Sequence, residues 1–339
     1  MKKTLIALAA LAASTAALAQ SSVTLYGSVD LSLESVKGDD SVTRVTSGNH
    51  TTSRFGLKGV EDLGGGLKAK FNLEAPISAD TGAVSGNFFN RQAWLGLQGG
   101  FGELRLGRQD TPIGAIVGNT ALLGGQAYDD FKIADTLSAG DARRTDNAIT
   151  YILPTLVEGL SASLQYSTRL SGSEVANDDT GKHYGLGLQY AANGFGAGLG
   201  YVNAKGNLDG SEKAKGVLAY LSYDFGAAKL TGYYEKDSYT GAAEDLKLYG
   251  LRVDVPVTAA FAAQVSLSKA KDVDMNGTDD NDATILALKG TYSLSKRTSV
   301  YGLFTNVSNG KGAALSVGGV DVTADKSSRG LAVGVVHKF

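Results

Sequence analysis

Between Ser21 and Lys37 the chain reads SSVTLYGSVDLSLESVK, and apolar and polar residues alternate almost throughout. Val23, Leu25, Gly27, Val29, Leu31 and Leu33 fall on one side; Thr24, Tyr26, Ser28, Asp30, Ser32 and Glu34 fall on the other. Period-two alternation describes a strand with two unlike faces. A tilted strand needs about ten residues to cross a bilayer, whereas a sandwich strand ends after about five or six. The pattern returns in LKAKFNLEA, where Leu67, Ala69, Phe71, Leu73 and Ala75 oppose Lys68, Lys70, Asn72 and Glu74. It returns again in LSASLQYSTR, HYGLGLQYA and VLAYLSYDF, with Tyr184, Tyr190, Tyr223 and Phe225 near the ends of the apolar rows. A bilayer interface selects aromatic side chains at those positions.

Connections between these segments alternate in length. Short ones lie at 61–66, 99–102, 191–195, 225–228, 256–260 and 294–298. Long polar ones lie at 35–52, 77–89, 111–145, 170–182, 203–214, 236–245, 270–282 and 308–328. Such alternation predicts an all-β fold: a 16-stranded antiparallel transmembrane β-barrel, with turns at one rim and loops at the other. No segment shows a helical period and no domain boundary is evident. The competing architecture, a soluble sandwich or repeat β-protein, also alternates but has no use for an aromatic girdle.

Composition sharpens the picture. There are 45 Gly, 15 Tyr, 11 Phe and only 4 Pro, as many short strands and tight turns require. Mean hydropathy is −0.05, so the transmembrane reading rests on pattern alone. The first residues, MKKTLIALAALAASTAALAQ, have a basic start, an apolar run and a small-x-small site at Ala17-Leu18-Ala19. They predict a signal peptide over 1–19 and a mature barrel domain over 20–339, exported to the outer membrane of a Gram-negative cell. Without Lys2 and Lys3 the 32 basic residues fall to 30, against 34 acidic ones. An acidic balance argues against a nucleic-acid partner. The sequence contains no cysteine, so no disulfide holds the fold.

Three stretches carry a resemblance: SSVTLYGSVD (21–30), SRFGLKGVEDLGGGLKAKFNLE (53–74) and NRQAWLGLQGGFGELRLGRQ (90–109). RRTDNAITY (143–151) and the terminal HKF add to it. The chain resembles the general porins of betaproteobacteria, including the neisserial porins. That resemblance implies a homotrimer of sixteen-stranded outer-membrane barrels whose third external loop folds into the lumen, here 111–145. It also gives the terminal Phe339 a reader, the outer-membrane assembly machinery. Independently, alternation places Phe339 on the outer side of the last strand, which in a closed barrel pairs with the first.

A pore acts through shape and charge at its narrowest ring. If loop 111–145 folds inward, it brings Asp129, Asp130, Asp135 and Asp141 to the lumen; otherwise these are solvated acids on a surface loop. Alternation puts Arg54, Lys58, Lys68 and Lys70 on the polar inner row, because a lipid-facing cation at mid-depth costs about 2–4 kcal/mol. Arg143 and Arg144 stand where the loop re-enters the wall, and alternation favours Arg144. Arg91 and Arg108 share the parity of outward leucines; for Arg91 either a bulge shifts the register or the side chain sits at the outer end. An arginine cluster facing acidic groups predicts modest anion preference for small hydrophilic solutes and ions, without any cofactor.

Other chemistries find less support. The three histidines, His50, His183 and His337, lie in unrelated contexts and give no catalytic arrangement. From Asp272 the sixth residue is Gly277, but the twelfth is Ala283 where an EF-hand carries Glu, so no metal site is assigned. That loop suits weak divalent-ion contact or bridging to lipopolysaccharide and other outer-membrane lipid. The alternative function is a barrel that merely anchors an adhesive or structural surface protein and has no open pore.

Overall fold

The computed structural model describes residues 22–84, 86–124, 126–140, 142–169, 181–205 and 213–339. The leader and Asp141 lie outside the described residues. Within them the chain is a closed antiparallel barrel. Its strands are β1 (Ser22–Lys37), β2 (Ser41–Ser47), β3 (Arg54–Gly64), β4 (Leu67–Pro76), β5 (Gln92–Gly99), β6 (Gly102–Asp110), β7 (Arg144–Ile152), β8 (Leu160–Ser167) and β9 (Lys182–Ala192). They continue through β10 (Phe195–Lys205), β11 (Ala214–Asp224), β12 (Lys229–Tyr239), β13 (Leu246–Pro256), β14 (Phe261–Lys271), β15 (Ala283–Ser293), β16 (Thr298–Asn309) and β17 (Ser327–Lys338). Each strand from β3 to β17 pairs with the next, and β17 pairs with β1.

The seventeen segments make a sixteen-stranded wall, since β2 and β3 share one place. β2 pairs with residues 31–37 of β1 and β3 with residues 22–28. The first long connection expected at 35–52 is therefore mostly wall, and only the 38–40 turn and its last residues leave the sheet. The cause is Asp30 on the inner face of β1. Its carboxylate accepts the amides of His50 (2.8 Å) and Thr51 (2.7 Å) and draws the chain inward between β2 and β3.

The alternation expected for β1 is realised. Val23, Leu25 and Leu33 are 70%, 59% and 58% exposed on the outside, while Asp30 and Glu34 are buried inside. An apolar outside and a polar inside suit a wall between lipid and water. At closure, Phe339 exchanges two backbone hydrogen bonds with Gly27 (3.0 and 3.1 Å). Any Cβ at Gly27 would strike the Phe339 ring, 2.4 Å away.

The segment between β6 and β7 (111–143) turns into the barrel, and it contains helix, which the sequence reading missed. Helix α1 (Pro112–Thr120) begins at Thr111, whose hydroxyl accepts the Gly114 amide, with Pro112 in its first turn. Helix α2 (Asp130–Ile133) is a single turn capped by Asp129. α1 lies against β9, β10 and β11, where the inner row carries Gly185, Gly187, Gly200 and Gly216. A Cβ on Gly200 would stand 2.8 Å from Ile113 Cα, so glycine is what lets the helix approach.

The apolar core consequently lies inside the barrel. Ile113, Ile116 and Phe131 pack on Val202, Leu218 and Leu248; Leu122, Leu123 and Tyr128 pack on Ile285, Leu303 and Val307. On this side the inner row mixes apolar with polar side chains, contrary to the uniform polar lumen expected from alternation. Polar anchors surround the packing. Glu235 accepts the Ser138 amide (3.0 Å) and hydroxyl (2.5 Å), and Asp237 accepts the Leu137 amide (2.8 Å). Arg252 donates to the carbonyls of Thr120 (2.8 Å) and Ala121 (2.7 Å), and Lys289 donates to that of Leu122 (3.0 Å).

Candidate functional site

The inner wall from β3 to β7, opposite the packed loop, keeps its charged side chains. Glu74 on β4 is its centre. Its carboxylate receives Arg91 Nε at 2.5 Å, Arg54 Nε at 3.4 Å and the Tyr26 hydroxyl at 2.9 Å. Arg54 also donates to the Thr52 carbonyl (3.1 Å), and Arg91 to the Thr52 hydroxyl (3.2 Å), so the inward kink after β2 forms part of this ring. Beside it, Asp110 at the end of β6 has Arg144 Nε 3.0 Å away and accepts a hydrogen bond from the Gln92 side chain at 2.9 Å. Arg143 donates to the Gly124 carbonyl of the loop (3.1 Å). A polar cleft of about 380 Å³ opens here, lined by Ser47, Thr52, Asn90, Arg91, Gln126 and Arg144.

The parity difficulty of Arg91 resolves by its place at the outer end of β5 rather than by a bulge, with its side chain turned to Glu74 and not to lipid head groups. Arg91 precedes β5 and hydrogen-bonds through its backbone amide to the Glu74 carbonyl (3.2 Å), so strand alternation does not govern it. A register shift does occur nearby, between Gly107 and Gln109 on β6 opposite β7. Arg108, just at this irregularity, reaches Asp146 (2.6 Å) and the Asn90 carbonyl rather than Glu74.

Below the ring the wall descends in steps of two residues. Lys58, paired in register with Asn72, has its ammonium 5.0 Å from the centre of the Tyr26 ring. Next come Lys70 and Arg105, both on Glu103 (2.7 and 2.5 Å), with Arg105 stacked over Trp94 at 4.2 Å. Lys68 sits opposite Asp62 beside the 64–66 turn. Six residues of strand separate it from Glu74, about 20 Å. The structure thus gathers Arg54, Arg91, Arg143 and Arg144, sets Lys58 just beneath, and leaves Lys68 at the rim.

The acidic half of the expected site is placed otherwise. Asp129 and Asp130 are buried between loop and wall. Asp129 accepts the amides of Leu123 (2.6 Å) and Phe131 (3.1 Å), and Asp130 accepts the Tyr233 hydroxyl. Burial, with Asp130 adjacent, pushes the Asp129 carboxyl up to about 8. Neither faces water, because their oxygens are occupied as loop anchors. Asp135 is exposed and pairs with Lys132 at 3.0 Å. The carboxylates that do meet the arginines, Glu74 and Asp110, belong to the wall. Glu74, Glu103 and Arg105 were visible on polar rows of their strands; what alternation could not supply is which charges lie at one height.

A closed barrel with an apolar outside, an inward loop and a one-sided ring of guanidinium groups is the architecture of a membrane pore. The chain belongs to the Gram-negative porin family, whose model matches residues 4–312. It is 34% identical to outer membrane porin protein 32 of Delftia acidovorans, with all of both chains covered. It is 30% identical to the major outer membrane protein P.IB of Neisseria lactamica, again over both full lengths. Among solved structures it is similar to the anion-selective porin from Comamonas acidovorans, at TM-score 0.83 and 30% identity, covering 94% of this chain and all of the other.

Proposed function

We propose that this outer-membrane porin is a passive diffusion channel for small hydrophilic solutes that favours anions, with the ring on the β3–β7 wall as its filter. One observation carries the reading: four guanidinium groups, Arg54, Arg91, Arg143 and Arg144, gather at one height, where Glu74 and Asp110 pair with three of them and Asp80 lines the same cleft, so that among the described residues the guanidinium groups outnumber the carboxylates around this cleft. Arginine keeps its charge at any physiological pH, and charges within about 8 Å of a passing ion are only partly screened. A surplus of fixed cations raises the local anion concentration. The similarity to an anion-selective porin supports the same sign. Residues 1–19 as a cleaved leader, assembly as a homotrimer, and recognition of Phe339 by the assembly machinery belong to the same proposal.

Planar-bilayer reversal potentials in a KCl gradient test it. The wild type should favour chloride, and Arg54→Gln with Arg144→Gln should lower the chloride-to-potassium ratio. An unchanged reversal potential would remove these residues from the filter.

A further inference from the structure

Below the arginine ring, the β3–β6 wall carries an arrangement that charge selection alone does not call for: two cations laid on aromatic rings. Lys58, Asn72 and Trp94 stand at one height on three adjacent strands, Lys58 directly opposite Asn72 and Asn72 directly opposite Trp94. Arg105 stands one step lower, opposite Gly96. Its guanidinium lies over the Trp94 ring at 4.2 Å, and the Lys58 ammonium lies 5.0 Å from the centre of the Tyr26 ring. Glycine makes room for both pairs. A Cβ on Gly96 would stand 3.1 Å from Arg105 Cγ, and one on Gly56 would stand 2.7 Å from the Tyr26 ring.

Pairing within the patch leaves it positive. Lys70 and Arg105 share the one carboxylate of Glu103 (2.7 and 2.5 Å). Lys58 is exposed on the inner row and has no carboxylate partner among the described residues. Asn72 uses its side-chain oxygen to accept the Tyr26 hydroxyl (2.8 Å), which leaves its amide protons for an acceptor. With one face against Trp94, the Arg105 guanidinium offers the other, and its side chain is 26% exposed. A simple anion gains nothing from that face, because oxyanions and halides are held in the plane of the N–H groups. A π-system does gain, since guanidinium planes stack on aromatic rings and attract them electrostatically.

We propose that this patch is a station for aromatic carboxylates of a single ring, the ring stacked on Arg105 and the carboxylate held by Lys58 and the Asn72 amide. A carboxylate conjugated to its ring lies in the plane of that ring, so one flat molecule makes both contacts along one wall. Neighbouring strands are about 4.8 Å apart, which sets Lys58 and Trp94 about 10 Å apart. One ring, its carboxylate and a hydrogen bond fill that span. The inference deepens the channel reading and rests on it in one respect, that this wall faces an open, wet lumen.

Trp94 is the only tryptophan in the chain, so its fluorescence reports the patch directly. The test is a fluorescence titration of the detergent-solubilised protein at constant ionic strength with benzoate, cyclohexanecarboxylate and benzyl alcohol. Benzoate should change the emission saturably and bind about fivefold more tightly than cyclohexanecarboxylate, which has the same charge and a similar size but no π face. Benzyl alcohol, a ring without charge, should give no saturable response. Arg105→Lys keeps the charge and removes the planar face, so it should bring the two carboxylates to equal affinity. Lys58→Gln should weaken both by a similar factor, about fivefold. Equal affinities in the wild type would overturn the proposal without recourse to any variant. So would a linear, unsaturated response to benzoate, or an Arg105→Lys protein that keeps the preference. Bilayer conductance in KCl separates this proposal from the channel reading. A wild type that conducts nothing would sink that reading while a benzoate preference stood; one that conducts but shows no preference would sink this proposal alone.

Discussion

The two sides of the lumen are built from the same kind of strand and end in opposite states. On β9–β17 much of the inner row is small or apolar, and its charged members Glu235, Asp237, Arg252 and Lys289 bond to the loop 111–143, which lies on it as a packed layer, so Val202, Leu218, Leu248 and Ile285 are buried as in a soluble core. On β3–β7 the inner row is long and charged, and Arg54, Arg91 and Arg105 remain partly open to water. A barrel of this size has room for both. The difference teaches that selectivity is set by what the loop leaves uncovered: by hiding one side, it forces solutes past the arginines of the other.

The largest effect on this division should come from Gly200→Leu. Its Cβ would meet the backbone of Ile113 at 2.8 Å, so α1 must leave the wall and enter the passage. Single-channel conductance should fall sharply and become noisy. Phe131→Ala attacks the same packing more gently, since Phe131 is buried and lies 5.0 Å from the Tyr233 ring. Truncating a buried Phe costs about 3–5 kcal/mol, and limited proteolysis within 111–143 should report the loosened loop.

Glu74→Gln acts on the other side. It keeps the shape of the side chain and removes the negative charge shared by Arg54 and Arg91, so the chloride-to-potassium permeability ratio should rise above wild type. A fall would mean that Glu74 serves mainly to hold the arginines in place.

A pH effect should follow from Asp129. Its ordinary value of 3.8 applies in an undocked loop, and burial raises it to about 8 when docked. Between these values the docked loop holds a proton that the undocked loop has lost, so docking weakens as pH rises from about 4 to about 8 and then levels off. Open-channel noise should grow over that window, and Asp129→Asn should reduce the dependence, leaving what the other buried loop anchors, Glu235 and Asp237, contribute. The smallest effect belongs to Lys68→Gln: at about 20 Å from Glu74, well beyond a Debye length of about 8 Å, the change should leave selectivity almost untouched.

Much of the wall could be read in advance because alternation is a local signal. The facing of Arg54, Lys58, Lys68 and Lys70 followed from their neighbours alone, as did the outward Phe339. Height around the barrel is set by register, which one strand does not reveal; alternation alone therefore gives Lys68 and Arg54 the same facing although they stand at opposite ends of the β3–β4 pair. The loop was legible as inward-turning only through resemblance. Its helix was signalled by Thr111-Pro112, an N-cap followed by proline, yet PIGAIVGNT is too short and too apolar all round to show a period. Asp129 and Asp130 misled for a related reason: acids in a polar loop suggest solvent, whereas these cap α2 and meet Tyr233.

The chain contains no cysteine, so single cysteines can be introduced one at a time and their reaction with a water-soluble charged thiol reagent followed in the folded pore. The division of the lumen predicts that cysteine at Lys58 or Gln92 reacts rapidly and changes conductance, while cysteine at Leu248 or Ile285 stays unmodified until the protein is unfolded. Equal reaction rates at Lys58 and Leu248 would contradict it.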